Sequence, residues 1–235
     1  MTFKKIGAIA THIYTGSGIF LAFWAALALL EKDVSTFFIA LWLAVIVDAT
    51  DGTLARHFDV KHVIPGVDGG LMDNIIDYIT YVFLPAIALV VFDLIPANLT
   101  WAALLPLGAS LYGFSQIQAK ADASFVGFPS YWNILLLYLY ILRPSAVWIV
   151  IILIFLSVMV FVPVRYIYPT RTRWLQSTTL ALAALYGIAL IALCFFPDAA
   201  WAKNIAFLSL LYPVYYVIIS ILHHQQVMKS KVVTA

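Results

Sequence analysis

Four aspartates stand at helical spacings in two neighbouring stretches of the chain, Asp48 and Asp51 at i and i+3, Asp73 and Asp77 at i and i+4. On α-helices each pair shares one face. Four carboxylates at close range are unstable as free anions, and hard divalent cations with oxygen ligands relieve that charge. Helix-end carboxylates in interfacial water account for one or two such residues. Two helically spaced pairs with Arg56 adjacent point to a metal site. A proton relay would also use buried carboxylates, but it leaves the small residues between them unexplained. Gly52, Ala55 and Gly69 remove bulk beside the acids, which lets a planar base or a diphosphate approach the helix backbone. Gly70 reads as a helix-packing residue.

The elements that must position these acids are membrane helices. The chain has 235 residues, 64% of them hydrophobic and 10% charged, with a mean hydropathy of +1.01. One soluble core could not hide that much apolar surface. A net charge of +2 is too small for a nucleic-acid binder. The single cysteine, Cys194, excludes a disulfide framework and a thiolate metal site. Lys4 and Lys5 precede an apolar run without a cleavage site, so the first span reads as retained.

Seven segments approach the length of about 20 apolar residues that a crossing needs: 7–30, 34–56, 71–94, 99–118, 145–164, 175–196 and 204–223. The run 130–142 is apolar but has only 13 residues, a length that also suits an interfacial or re-entrant segment. Charge decides the count. If 130–142 crosses, ten basic residues lie on the cytoplasmic side and Lys32, Arg143 and Lys203 lie outside; if not, the split is seven to six. The expectation is an all-α integral membrane protein of about eight transmembrane helices with both termini cytoplasmic. It forms a single domain, 1–235. The second and third spans form the hairpin that carries the acids to the cytoplasmic side, joined by a polar loop over about 57–68. Pro85 is expected to kink the third span unless neighbouring helices satisfy the freed carbonyl.

The segment Asp48-x2-Asp51-Gly52-x2-Ala55-Arg56, a spacer, then Gly69-x3-Asp73-x3-Asp77 resembles the signature of the CDP-alcohol phosphotransferases, with eight identities over about 30 residues. Most members have eight residues between the arginine and the glycine. Here there are twelve, His57 to Asp68. That spacer, the chain's size and the segment GFPSYWN at 127–133 resemble the bacterial branch that transfers the phosphatidyl group from CDP-diacylglycerol to choline. The resemblance implies that Asp48, Asp51 and Asp73 bind Mn²⁺ or Mg²⁺ with Asp77 nearby, and that Asp77 is also the catalytic base. It implies CDP binding by Asp48, Gly52, Ala55, Arg56, Gly69 and Asp73. It further implies a homodimer in the bacterial inner (cytoplasmic) membrane with the active site on the cytoplasmic side. No Ser, Cys or His stands out as a covalent nucleophile, so direct displacement is expected.

A quaternary ammonium is recognised by aromatic faces. Depth and side select Tyr78, Tyr112, Gln116, Phe128, Tyr131 and Trp132 as choline candidates, with Asp122 as a possible counter-charge. The basic run Arg165 to Arg173 reads as a topology determinant that meets anionic lipid headgroups. His12 reads either as a core histidine or as a phosphate contact. Within the family the rival acceptor is serine. Phosphorylated acceptors would need basic residues that spans four to six lack. A prenyltransferase would carry two separated acidic motifs, and a transporter would show inverted repeats.

Overall fold

A backbone in hydrocarbon must satisfy its own hydrogen bonds, so long apolar runs become helices. A computed structural model describes residues 3–116, 120–121, 124–167, 172 and 174–233, with side chains over 3–116, 127–167, 172 and 174–226. Asp122, Arg171 and Arg173 lie outside the described residues.

The first apolar segment forms α1 (Phe3–Gly16) and α2 (Gly18–Leu30), joined at Ser17. Asp33 then caps α3 (Val34–His57), its carboxylate accepting the Thr36 N–H at 3.1 Å. A short α4 (Val60–Val63) leads to α5 (Gly69–Asp77), which Asp68 caps by accepting the Leu71 N–H at 3.0 Å. Ahead of Pro85 the helix widens into a π-helical stretch, Tyr78–Phe83, before α6 (Leu84–Val91). Proline lacks the N–H that the Tyr81 carbonyl would take in an α-helix. A five-residue register ahead of it, with Leu84 N–H donating to Ile79 O, absorbs that loss.

A 3₁₀ segment (Ala97–Ala103) precedes α7 (Leu104–Ser115). Two strands follow, β1 (Lys120–Ala121) and β2 (Ser124–Val126), then α8 (Trp132–Leu142) and α9 (Ala146–Phe161). Next come β3 (Arg165–Ile167), α10 (Gln176–Phe195), α11 (Ala202–Ser209) and α12 (Leu211–Val233). The strands form an antiparallel sheet in the order β1-β2-β3, an addition to the expected all-α fold. Gly127, at φ +83°, makes the turn out of β2; a Cβ there would collide with the Val160 carbonyl. β3 is fastened to α12, where Ile167 N–H donates to Ser220 Oγ at 3.2 Å and Tyr216 donates to Ile167 O at 2.9 Å.

Among the described residues, five helical stretches are long and apolar enough to cross a membrane: Phe3–Leu30, Val34–His57, Gly69–Val91, Gln176–Phe195 and Ala202–Gln226. The protein is therefore a largely helical, multi-pass membrane protein. Trp132–Leu142 and Ala146–Phe161 are apolar but shorter. The core is built on α2 against α3, with Phe37, Phe38, Phe92 and Tyr140 meeting at centroid distances of 5.3–6.3 Å. Where α2, α6 and α8 finish, polar groups answer one another. Lys32 pairs with Asp93 at 3.1 Å, Arg143 donates to Phe92 O at 3.2 Å, and Tyr140 donates to Asp198 at 3.0 Å. α8 begins beside the acidic cluster described below and ends here. Its 11 residues cover roughly 16 Å, about half the hydrocarbon thickness.

Candidate active site

Asp48 lies on α3 nine residues before the helix ends, roughly 13 Å from that end. Asp73 and Asp77 lie in α5, five and nine residues into it. α1 packs on both helices and holds them in register. Its continuation α2 also comes close: a Cβ on Gly18 would stand 2.7 Å from Ile76 Cγ2, so only glycine admits this approach of α2 to α5. As a result Asp48, Asp73 and Asp77 each offer a carboxylate oxygen, and these oxygens lie within 4.8 Å of one another. Asp77 is buried, and Asp48 and Asp73 are half-buried.

Asp51, the fourth acid, lines the same cavity as this trio. It is buried, and Thr15 of α1 donates to its Oδ2 at 2.8 Å. Asp48 accepts a hydrogen bond from Tyr81 at 2.8 Å. Thr15, Gly18 and all four aspartates line one small cavity. Three mutually close carboxylates are hard oxygen donors, and the donor set fits a divalent cation. Neither hydrogen bond follows from the acid spacing. Tyr81 reaches Asp48 from the π-helical stretch ahead of Pro85, and nothing in the acid spacing signals that stretch.

The residues between the acids have distinct settings. A Cβ on Gly52 would stand 3.4 Å from Arg56 Nη1, and Arg56, exposed, donates to Thr53 Oγ1 at 3.0 Å. Ala55 is half-buried. A Cβ on Gly69 would stand 3.1 Å from His12 Cε1, so Gly69 is the floor on which His12 rests. His12 Nε2 is buried and without a hydrogen-bond partner among the described residues. A polar group arriving beside Gly69 would satisfy it. Gly70 is exposed, and a Cβ there would meet only Asp68 Oδ1 at 3.4 Å, so packing does not explain it.

The six choline candidates make separate sets of contacts. Tyr78 donates to Leu107 O at 3.0 Å and meets Phe114 edge-on. Tyr112 is exposed and stacks on Phe161 at 4.8 Å, and Gln116 ends α7. Phe128 meets Trp132 edge-on, while the Trp132 indole donates to Ser110 Oγ at 2.7 Å in a buried network with Ser130. Tyr131 alone of the six faces Tyr81, at 6.2 Å, and through it the acids.

Fold and site together define a multi-pass membrane protein with an acidic cluster inside one end of the bundle, suited to a divalent cation. No family model matches the chain. It is 37% identical over 193 residues to a phosphatidylcholine synthase of Legionella pneumophila, covering 75% of this chain and 73% of that one. It is 35% identical over 214 residues to the phosphatidylcholine synthase of Agrobacterium fabrum, covering 88% and 87%. A Legionella bozemanae phosphatidylcholine synthase is 44% identical over 145 residues, 59% of this chain and 67% of that protein. The chain belongs to the phosphatidylcholine synthase family.

Proposed function

We propose that this chain transfers the phosphatidyl group of CDP-diacylglycerol to choline, releasing phosphatidylcholine and CMP. The observation that carries this is the meeting of Asp48, Asp73 and Asp77 in a chain of this family. A Mn²⁺ or Mg²⁺ ion held by Asp48, Asp51, Asp73 and Asp77 would offset the diphosphate charge and polarise the phosphoryl oxygens. Asp77 takes the proton of the choline hydroxyl. The choline oxygen bonds to the β-phosphorus, which carries diacylglycerol, and the bond from that phosphorus to the CMP oxygen breaks. An aspartate is a weak base for an alcohol, so its proton transfer belongs late in the step. Gly52, Ala55 and Gly69 admit the nucleotide, Arg56 meets its phosphates, and Asp48 and Asp73 complete the CDP site. Tyr78, Tyr112, Gln116, Phe128, Tyr131 and Trp132 remain the sequence-derived choline set, with Tyr131 favoured by its contact with Tyr81.

The same reading has eight spans, the hairpin of the second and third carrying the acids, and both termini on the cytoplasmic side of the bacterial inner membrane. Choline and CMP then exchange with the cytoplasm. The gathering of Lys32, Asp93 and Arg143 at the end away from the acids supports this orientation, because the reading puts Lys32 and Arg143 outside. The homodimer implied by family resemblance belongs to this reading and is tested by cross-linking in membranes.

Purified protein in detergent with CDP-diacylglycerol, Mn²⁺ and labelled choline is expected to yield labelled lipid and CMP in equal amounts. Product from serine but none from choline would overturn the acceptor assignment.

A further inference from the structure

Choline is a cation without a hydrogen-bond donor on nitrogen, so a protein can hold it by aromatic faces and nearby negative charge. Its geometry restricts where that hold can be. Three bonds of about 1.5 Å keep the nitrogen within about 4 Å of the hydroxyl oxygen. If Asp77 takes the hydroxyl proton, the ammonium must sit beside the acids.

One aromatic ring stands there. Tyr81 is buried, donates to Asp48 at 2.8 Å, and lies within electrostatic reach of Asp77 as well. Tyr131 faces it at 6.2 Å with the ring planes at 45°, an angled pair of walls. Tyr81 comes from the π-helical stretch and Tyr131 from the turn that opens α8. Tyrosines of an interfacial belt turn their rings to the lipid headgroups. Tyr81 is buried and Tyr131 half-buried, and the two rings face one another beside Asp48.

We propose that Tyr81 and Tyr131 form the seat of the acceptor's quaternary ammonium, adjoining the acidic cluster. The inference rests on the proposed choline transfer and names the wall that would recognise the cation. It sets Tyr131 apart from the other sequence-derived candidates and pairs it with Tyr81.

The test is steady-state kinetics on the full chain in detergent with Mn²⁺. Tyr131→Leu should raise the choline KM about 10-fold or more, with the CDP-diacylglycerol KM within about 2-fold of native. Tyr131→Phe should keep most of the choline affinity, because it keeps the ring face. Replacement of Tyr131 by phenylalanine carrying one, two and three fluorines preserves shape while draining the ring's electron density. The choline KM should then climb with each fluorine, and this series decides the matter even if a leucine variant fails to fold. A choline KM indifferent to fluorination, or a Tyr131→Phe loss equal to that of the leucine variant, overturns the seat. If the native protein makes no lipid from choline, the proposed function falls first, and the seat falls with it; lipid formed from choline with an unmoved KM in the variants overturns the seat alone.

Discussion

The two ends of the helical bundle treat charge in opposite ways. At one end, Lys32 meets Asp93, Arg143 meets the Phe92 carbonyl and the Tyr140 face, and Tyr140 meets Asp198, so charge is answered within the fold. Inside the other end, three carboxylates converge to within 4.8 Å, with Tyr81 donating to one of them and Thr15 donating to the neighbouring Asp51. The first arrangement trims helix ends. The second gathers like charges, which is costly unless a cation joins them. The contrast separates polar residues that serve the fold from those that serve chemistry.

Substitutions at the two ends should therefore diverge. Asp73→Asn or Asp77→Asn is expected to lower kcat by well over ~100-fold, because even residues that only orient metal ligands cost 10–100-fold; retained turnover in both would remove the metal-site reading. Tyr81→Phe keeps the ring and loses the hydrogen bond to Asp48, and should cost roughly 10-fold in turnover or in Mn²⁺ affinity. At the opposite end, Asp33→Ala deletes the cap of α3 and should lower stability by about 0.5–2 kcal/mol in a thermal melt, with turnover per folded molecule unchanged. Its pH dependence has a definite sign. The Thr36 hydroxyl and then its N–H hold the Asp33 carboxyl below its ordinary value of 3.8. The cap's contribution is present above the unfolded value and lost as pH falls through the folded one, so the native and Asp33→Ala melts should converge below about pH 4. Lys32→Met should do least. The Lys32–Asp93 pair is exposed, its loss should cost under ~1 kcal/mol, and any large effect on turnover would blur the contrast between the ends.

The acids were legible because their spacing carries the information: two pairs at helical intervals can only converge if the helices that bear them lie side by side. The Thr15 hydrogen bond to Asp51 was not, since it depends on α1 arriving beside α3. Nor was the Tyr81 hydrogen bond to Asp48. It comes from a π register placed ahead of Pro85. Five spans were plain from hydropathy, whereas the short strands at 120–126 and 165–167 carry too few residues to show an alternating pattern.

The claim that the carboxylates of α3 and α5 hold the divalent cation can be broken by Mn²⁺ electron paramagnetic resonance on the purified chain. Titration of the native protein should remove the free Mn²⁺ signal until a stoichiometric amount is bound, and Asp73→Asn, folded by the same melt criterion, should leave the signal free. Binding by Asp73→Asn as tight as by the native chain would contradict the claim.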